Sequence, residues 1–230
     1  SSSLDKISGS VFSGCSKLQS VVVPGSVETI EKFAFADCGG LETVTFGEGL
    51  RTIGHWSFTE CIRLTRVVVP DTVTTINSSA FNECISLREI VLSDALETIG
   101  EYAFTRCAIE SIEIPSSIKR IETGVFYGCT SLTSVSIPES LSSIGDSAFG
   151  NCTSLENVSI PETVQEIGRD AFTFCGKLQQ ATFADTQGWQ YTSAPAGAEM
   201  IAISETMLSD PAAAAKCLRS DYATYYWIKG

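Results

Sequence analysis

Apolar and polar positions recur along this chain with one fixed period. Cys15, Cys38, Cys61, Cys84, Cys107, Cys129, Cys152 and Cys175 stand 23 residues apart, except for a single step of 22 between Cys107 and Cys129. Each is preceded at three residues by phenylalanine (Phe12 through Phe172) and at eight by isoleucine (Ile7 through Ile167). At eleven residues before it stands an aliphatic side chain, Leu4 in the first unit and Val164 in the last. A repeat of this length is the signature of a stacked solenoid.

Leucine usually follows each cysteine at +3, and then an alternating apolar pair at +6 and +8, as in Val21 and Val23 or Val158 and Ile160. Alternation with period two and β-branched side chains predicts a short strand with one buried face. Pro24, Pro70, Pro115, Pro138 and Pro161 end that strand, and without an N–H they close a ladder cleanly. In the 22-residue unit Ile109 takes the leucine's place, while Ile112 and Ile114 keep the strand in phase.

A lone repeat cannot stand. Ordering a residue costs about 1–2 kcal/mol, which the roughly eight inward positions of one unit do not offset. Stacking shares the burial between neighbours. In-phase cysteines then lie about one strand spacing apart, with parallel Cβ vectors that do not suit a disulfide torsion. We expect a buried row of free thiols acting as small apolar groups with weak S–H donors. There is no Cys-x-x-Cys pair or partner histidine for zinc, and no electropositive setting for a nucleophilic cysteine.

Composition narrows the function classes. The chain has 230 residues, 43% of them hydrophobic, which excludes a disordered chain. A formal charge of −12 repels phosphate backbones and argues against nucleic acid as a partner. The single histidine, His55, leaves little for acid–base chemistry at neutral pH and reads as a loop residue. No apolar run is long enough to insert in a membrane. No phosphate loop, paired-carboxylate cleft or Ser/His/Asp set is present, so the chain is expected not to be an enzyme and to need no cofactor or metal.

The unit Cys-x-x-Leu-x-x-Val-x-Ile-Pro, a turn, Val-x-x-Ile-Gly, then Ala-Phe-x-x-Cys resembles the BspA-like leucine-rich repeats of the bacterial surface-antigen type, most closely from Ser134 to Cys175. The resemblance covers residues 4 to 183. Glu31, Asn77 and Glu122 depart from its glycine, and Gly47 and Ser93 from its proline. It implies a leucine-rich repeat solenoid: a curved, right-handed superhelix, mostly β, with one short parallel strand per repeat and turns or 3-10 segments between. It also implies display at a bacterial cell surface or secretion, and a role in adhesion or protein binding.

Residues 1–183 are read as the solenoid, with about eight repeats and an N-terminally incomplete first unit through which copies could self-associate. Residues 184–230 are read as an α/β C-terminal cap that also resembles caps of gut-bacterial relatives. Asp210 and Pro211 start a helix near 211–222, and Tyr222 to Lys229 looks like an aromatic strand. Cys217 falls outside the cysteine row and is expected to be buried in the cap.

Three columns carry candidate chemistry. The outward strand positions hold Val22, Thr45, Arg66, Val68, Glu89, Val91 and Glu113 in the first half, giving way to hydroxyls and amides in the second. Such a face suits hydrogen-bonded protein or glycan contacts, or is simply solvated. Phe33, Trp56 and Tyr102 recur five residues before the cysteine, as a contact patch for a sugar ring or partner loop, or as covers over the turns. Glu48, Asp71, Asp94, Glu139 and Glu162 follow the strands and either cap turns or share calcium. The reading is a non-enzymatic module that recognises a host or microbial surface protein or glycan; the alternative is a structural spacer or stalk displaying an upstream domain.

Overall fold

The computed structural model describes residues 4–193 and 199–230. The chain winds as a β-solenoid of about eight turns, and each turn contributes two short strands to two parallel ladders. The face ladder is built from the predicted strands, Ser20–Val22, Thr43–Thr45, Arg66–Val68, Glu89–Val91, Ser111–Glu113, Ser134–Ser136, Asn157–Ile160 and Gln180–Phe183. Its middle residue turns inward and its outer two face solvent, as in Arg66, Val67 and Val68. Most of these strands pair in register one repeat apart: Ser20 with Thr43, Arg66 with Glu89, Ser111 with Ser134, Asn157 with Gln180.

The second ladder goes beyond the single strand per repeat expected. It consists of two-residue strands such as Thr29–Ile30, Thr52–Ile53 and Thr75–Ile76, each aiming its isoleucine into the core. Both ladders are interrupted at the 22-residue unit: Glu89–Val91 does not pair with Ser111–Glu113, nor Thr98–Ile99 with Arg120–Ile121. The face ladder opens again between Ser134–Ser136 and Asn157–Ile160.

A third row of hydrogen bonds runs through the turns. The N–H groups of Phe33, Phe35 and Asp37 donate to the carbonyls of His55, Ser57 and Thr59 in the next coil, and the pattern repeats along the stack. It is made possible by two left-handed residues per turn, four apart: Phe33 and Asp37, Trp56 and Glu60, Tyr102 and Arg106, Ser147 and Asn151. Their φ values lie between 54° and 59°, a region that costs L-residues roughly 1–2 kcal/mol each. Aligned inter-coil donors offset that strain.

Inside, the phenylalanines form one continuous near-parallel stack from Phe12 to Phe172, with neighbouring centroids 5.1 to 5.7 Å apart. Beside it the thiols climb the stack. From Cys38 to Cys175 each Sγ donates to the phenylalanine carbonyl of the preceding coil, as Cys84 does to Phe58 at 3.1 Å. All nine cysteines are free, and all but Cys15 are buried.

The C-terminal segment closes the far end. Tyr226–Lys229 pairs antiparallel with Glu166–Ile167 on one side and Trp189–Thr192 on the other, covering the second ladder's last strand. The Asp170 N–H, last in the turn row, donates to Ala223. Trp227 and Trp189 are buried against Phe183. Asp210 caps the helix Pro211–Lys216 through the N–H groups of Ala212 and Ala213, and a π-helical turn, Cys217–Asp221, continues it. A separate short helix, Glu205–Ser209, precedes them. The Lys229 ammonium, 2.7 Å from Asp185, holds that carboxyl below its usual range and pins the final strand. No helix among the described residues is long and apolar enough to cross a membrane.

Candidate binding surfaces

The face ladder brings most of the predicted outward residues into two neighbouring hollows. Thr45, Arg66 and Val68 line one of about 450 Å3, together with Phe46 and Pro70. Glu89, Val91 and Glu113 line a larger one, about 640 Å3, where pairing is interrupted after Val91. The Arg66 Nε–Glu89 Oε1 ion pair at 2.8 Å bridges the two. Both partners are more than half exposed, so the pair orients the side chains more than it stabilises the fold. Val22 stands apart on the first strand and is 74% exposed.

Arg88, Asp71, Asp94 and Ser116 also line the larger hollow and were not among the outward positions read from the sequence. Asp71 and Asp94 belong to the acidic column read from the sequence, whereas no signal there pointed to Arg88 or Ser116. An irregular repeat marks where stacking changes but not which side chains the change uncovers.

The aromatic row divides. The Phe33 and Trp56 rings stack at 6.2 Å with planes 18° apart. Tyr102, two coils further on, lies so closely over Gly124 that a Cβ there would collide with its ring carbons. All three rings are about two-fifths exposed. His55 is exposed beside Trp56.

Among the described residues, no group of three or more His, Cys, Asp or Glu side chains converges closely enough to hold a metal ion. The acidic column follows the strand ends, with Asp71 and Asp94 on the rim of the larger hollow and Glu48 on that of the smaller. The buried thiols of the row are poor nucleophiles. Burial pushes Cys38 up to about 11 and Cys84, Cys129 and Cys175 up to about 12, and drives Cys61, Cys107 and Cys152 upward as well.

No curated protein matches the chain. Among solved structures, it is similar to a leucine-rich repeat protein of T. pallidum, with 31% identity and a TM-score of 0.62 over 65% of this chain and 71% of that one. It is also similar to a leucine-rich repeat protein from Bacteroides ovatus, with 25% identity and a TM-score of 0.61; the match covers 79% of this chain but only 59% of that one. The family profile described as the BspA type leucine rich repeat region matches six copies over residues 1–108 and 119–192. Because that profile matches well over half of its length, the chain belongs to the BspA-type leucine-rich repeat family.

Proposed function

We propose that the chain is a non-enzymatic recognition module of a cell-surface or secreted protein, binding a protein or glycan through the face ladder between Val22 and Glu113. The observation that carries this reading is the pair of adjoining hollows that gather Thr45, Arg66, Val68, Glu89, Val91 and Glu113. They combine exposed valines with charged and hydroxyl groups on one face of the solenoid. Apolar side chains set among charged and hydroxyl groups suit a protein or glycan partner.

The test is a binding screen of the 230-residue chain against extracellular matrix proteins and mucin-type glycans, with Val68→Glu and Val91→Glu variants alongside. Each variant places a carboxylate on an outward position and leaves the buried side of the strand intact. A partner that binds the parent chain and is lost in either variant, at unchanged melting temperature, supports recognition by this face. A folded chain that binds none of them moves the reading to a spacer that displays another part of a longer protein.

A further inference from the structure

The turn column five residues before each cysteine is a left-handed position in every coil, where small or flexible residues are the inexpensive choice. Ser10, Ser79, Gly124, Ser147 and Asp170 occupy it elsewhere. Phe33, Trp56 and Tyr102 instead hold bulky rings at φ 56° to 59° and leave about two-fifths of each exposed. The stacked rings from Phe35 to Phe172, by contrast, are wholly buried. The backbone strain is common to the non-glycine residues of this column, so what sets these three apart is a large ring left exposed where other coils carry a small or polar side chain.

The geometry is that of a platform. Phe33 and Trp56 are near-parallel neighbours, and Gly124, lacking a side chain, leaves room for the partly exposed Tyr102 ring beside it. The adjoining column supplies an ammonium, an imidazole and a carboxylate from Lys32, His55 and Glu101, all exposed along the same edge. Flat apolar faces with hydrogen-bonding groups at the rim match a pyranose ring, whose C–H face meets the electron-rich aromatic face while its hydroxyls reach the rim. Because the rings stand one and two repeats apart in a single column, a linear polymer of rings can engage more than one of them. A formal charge of −12 disfavours sulfated or phosphorylated chains.

We propose that Phe33, Trp56 and Tyr102 form a stacking site for a neutral, linear pyranose oligosaccharide long enough to reach from Phe33 to Tyr102. This site is separate from the face-ladder hollows and does not depend on them.

Trp56 is a built-in reporter, because Trp189 and Trp227 are buried. Titration with cellohexaose, laminarihexaose, chitohexaose and maltohexaose is followed by tryptophan emission, acrylamide quenching and calorimetry. At least one is expected to blue-shift the emission and protect it from quencher. Trp56→Gly removes the ring and relaxes the backbone; it should lose about tenfold or more in affinity at unchanged or higher melting temperature. Tyr102→Gly should weaken binding similarly, whereas Trp56→Phe and Val91→Glu should bind like the parent. Three results overturn the proposal: no heat or emission change with any hexasaccharide, undiminished binding by Trp56→Gly, or an emission change that follows protein concentration without sugar, which would mark a second copy as the occupant. None of the three bears on the face-ladder reading, which the Val68→Glu and Val91→Glu variants test separately.

Discussion

The Cys129 thiol donates to the Phe104 carbonyl at 3.1 Å, and Cys107 donates to Phe81 at the same distance, although the first pair is 25 residues apart and the second 26. The lost residue therefore never reaches the inner row. It is absorbed outside, where both ladders open, while the Phe104 and Phe126 rings still stack at 5.7 Å. Buried rows tolerate no slip because a gap there loses contacts on all sides, whereas an opened surface ladder is satisfied by water.

If the thiols act as packing groups, removing one should cost little more than its own volume. Phe104 O also accepts the Cys107 N–H, so it is not orphaned when the thiol goes. Cys129→Ala is expected to destabilise the chain by about 1–2 kcal/mol, read as a lower urea midpoint. Cys15→Ala, at the exposed end of the row, should leave the midpoint unchanged.

The same burial sets a pH dependence. Folded thiols keep protons that the unfolded chain releases near the ordinary value of 9.0, so above that pH the folded state binds more protons and stability falls as pH rises. The thiol contribution is whole below about pH 8 and is lost through the folded values, about 11 for Cys38 and about 12 for Cys84. Each thiol adds a slope of about 1.4 kcal/mol per pH unit in that window. Urea midpoints at pH 7, 9 and 10 should show a steep alkaline loss, shallower by one thiol's slope in Cys84→Ala. A thiol reagent at pH 8 should label Cys15 in the folded chain and all nine cysteines only after unfolding.

The periodic columns were legible in the sequence because phenylalanine, cysteine and isoleucine recur with fixed offsets. The face strands were legible from their alternation. The second ladder was not, since two residues such as Thr29–Ile30 cannot display a period. Nor were the left-handed turns, because residues such as Glu60 and Arg106 carry no glycine-like signal. The antiparallel join of Tyr226–Lys229 to Trp189–Thr192 has no local cue at all, because it is set by the end of the stack. Glu89, Val91 and Glu113 of the hollow were legible as outward strand positions, but an interruption in spacing locates a defect without orienting Arg88 or Ser116.

The left-handed turns make opposite predictions at two positions of one column. Ser147→Gly relieves φ 54° at a site where only the backbone is used between coils, and should raise stability by about 0.5–1 kcal/mol, less the entropy glycine gains in the unfolded chain. Gly124→Ala should lower it by about 1–2 kcal/mol, because alanine is strained at φ 62° and its Cβ displaces Tyr102. Thermal melts of the two variants decide the signs.

Position along the stack should matter as much as chemistry. Phe104 is fully buried between two neighbouring rings, whereas Phe12 has one ring neighbour and is 40% exposed. Phe104→Ala is expected to cost about 3–5 kcal/mol and to broaden unfolding as the halves uncouple. Phe12→Ala should cost far less. Urea unfolding followed by circular dichroism measures both midpoint and slope.

The cap gives the sharpest separation of stability from solubility. Trp227 packs on Phe183 and sits on the strand that pairs with Ile167, so its loss both opens a core cavity and loosens the cover on the second ladder. Trp227→Ala should lower stability by about 3–5 kcal/mol. It should also expose the Glu166–Ile167 edge, whose free backbone groups template pairing with another chain. Light scattering on a sizing column is then expected to show species larger than the parent at the same concentration. A variant that melts earlier yet elutes like the parent would mean that the strand holds its place without the ring, through the backbone pairing and the Lys229–Asp185 contact alone.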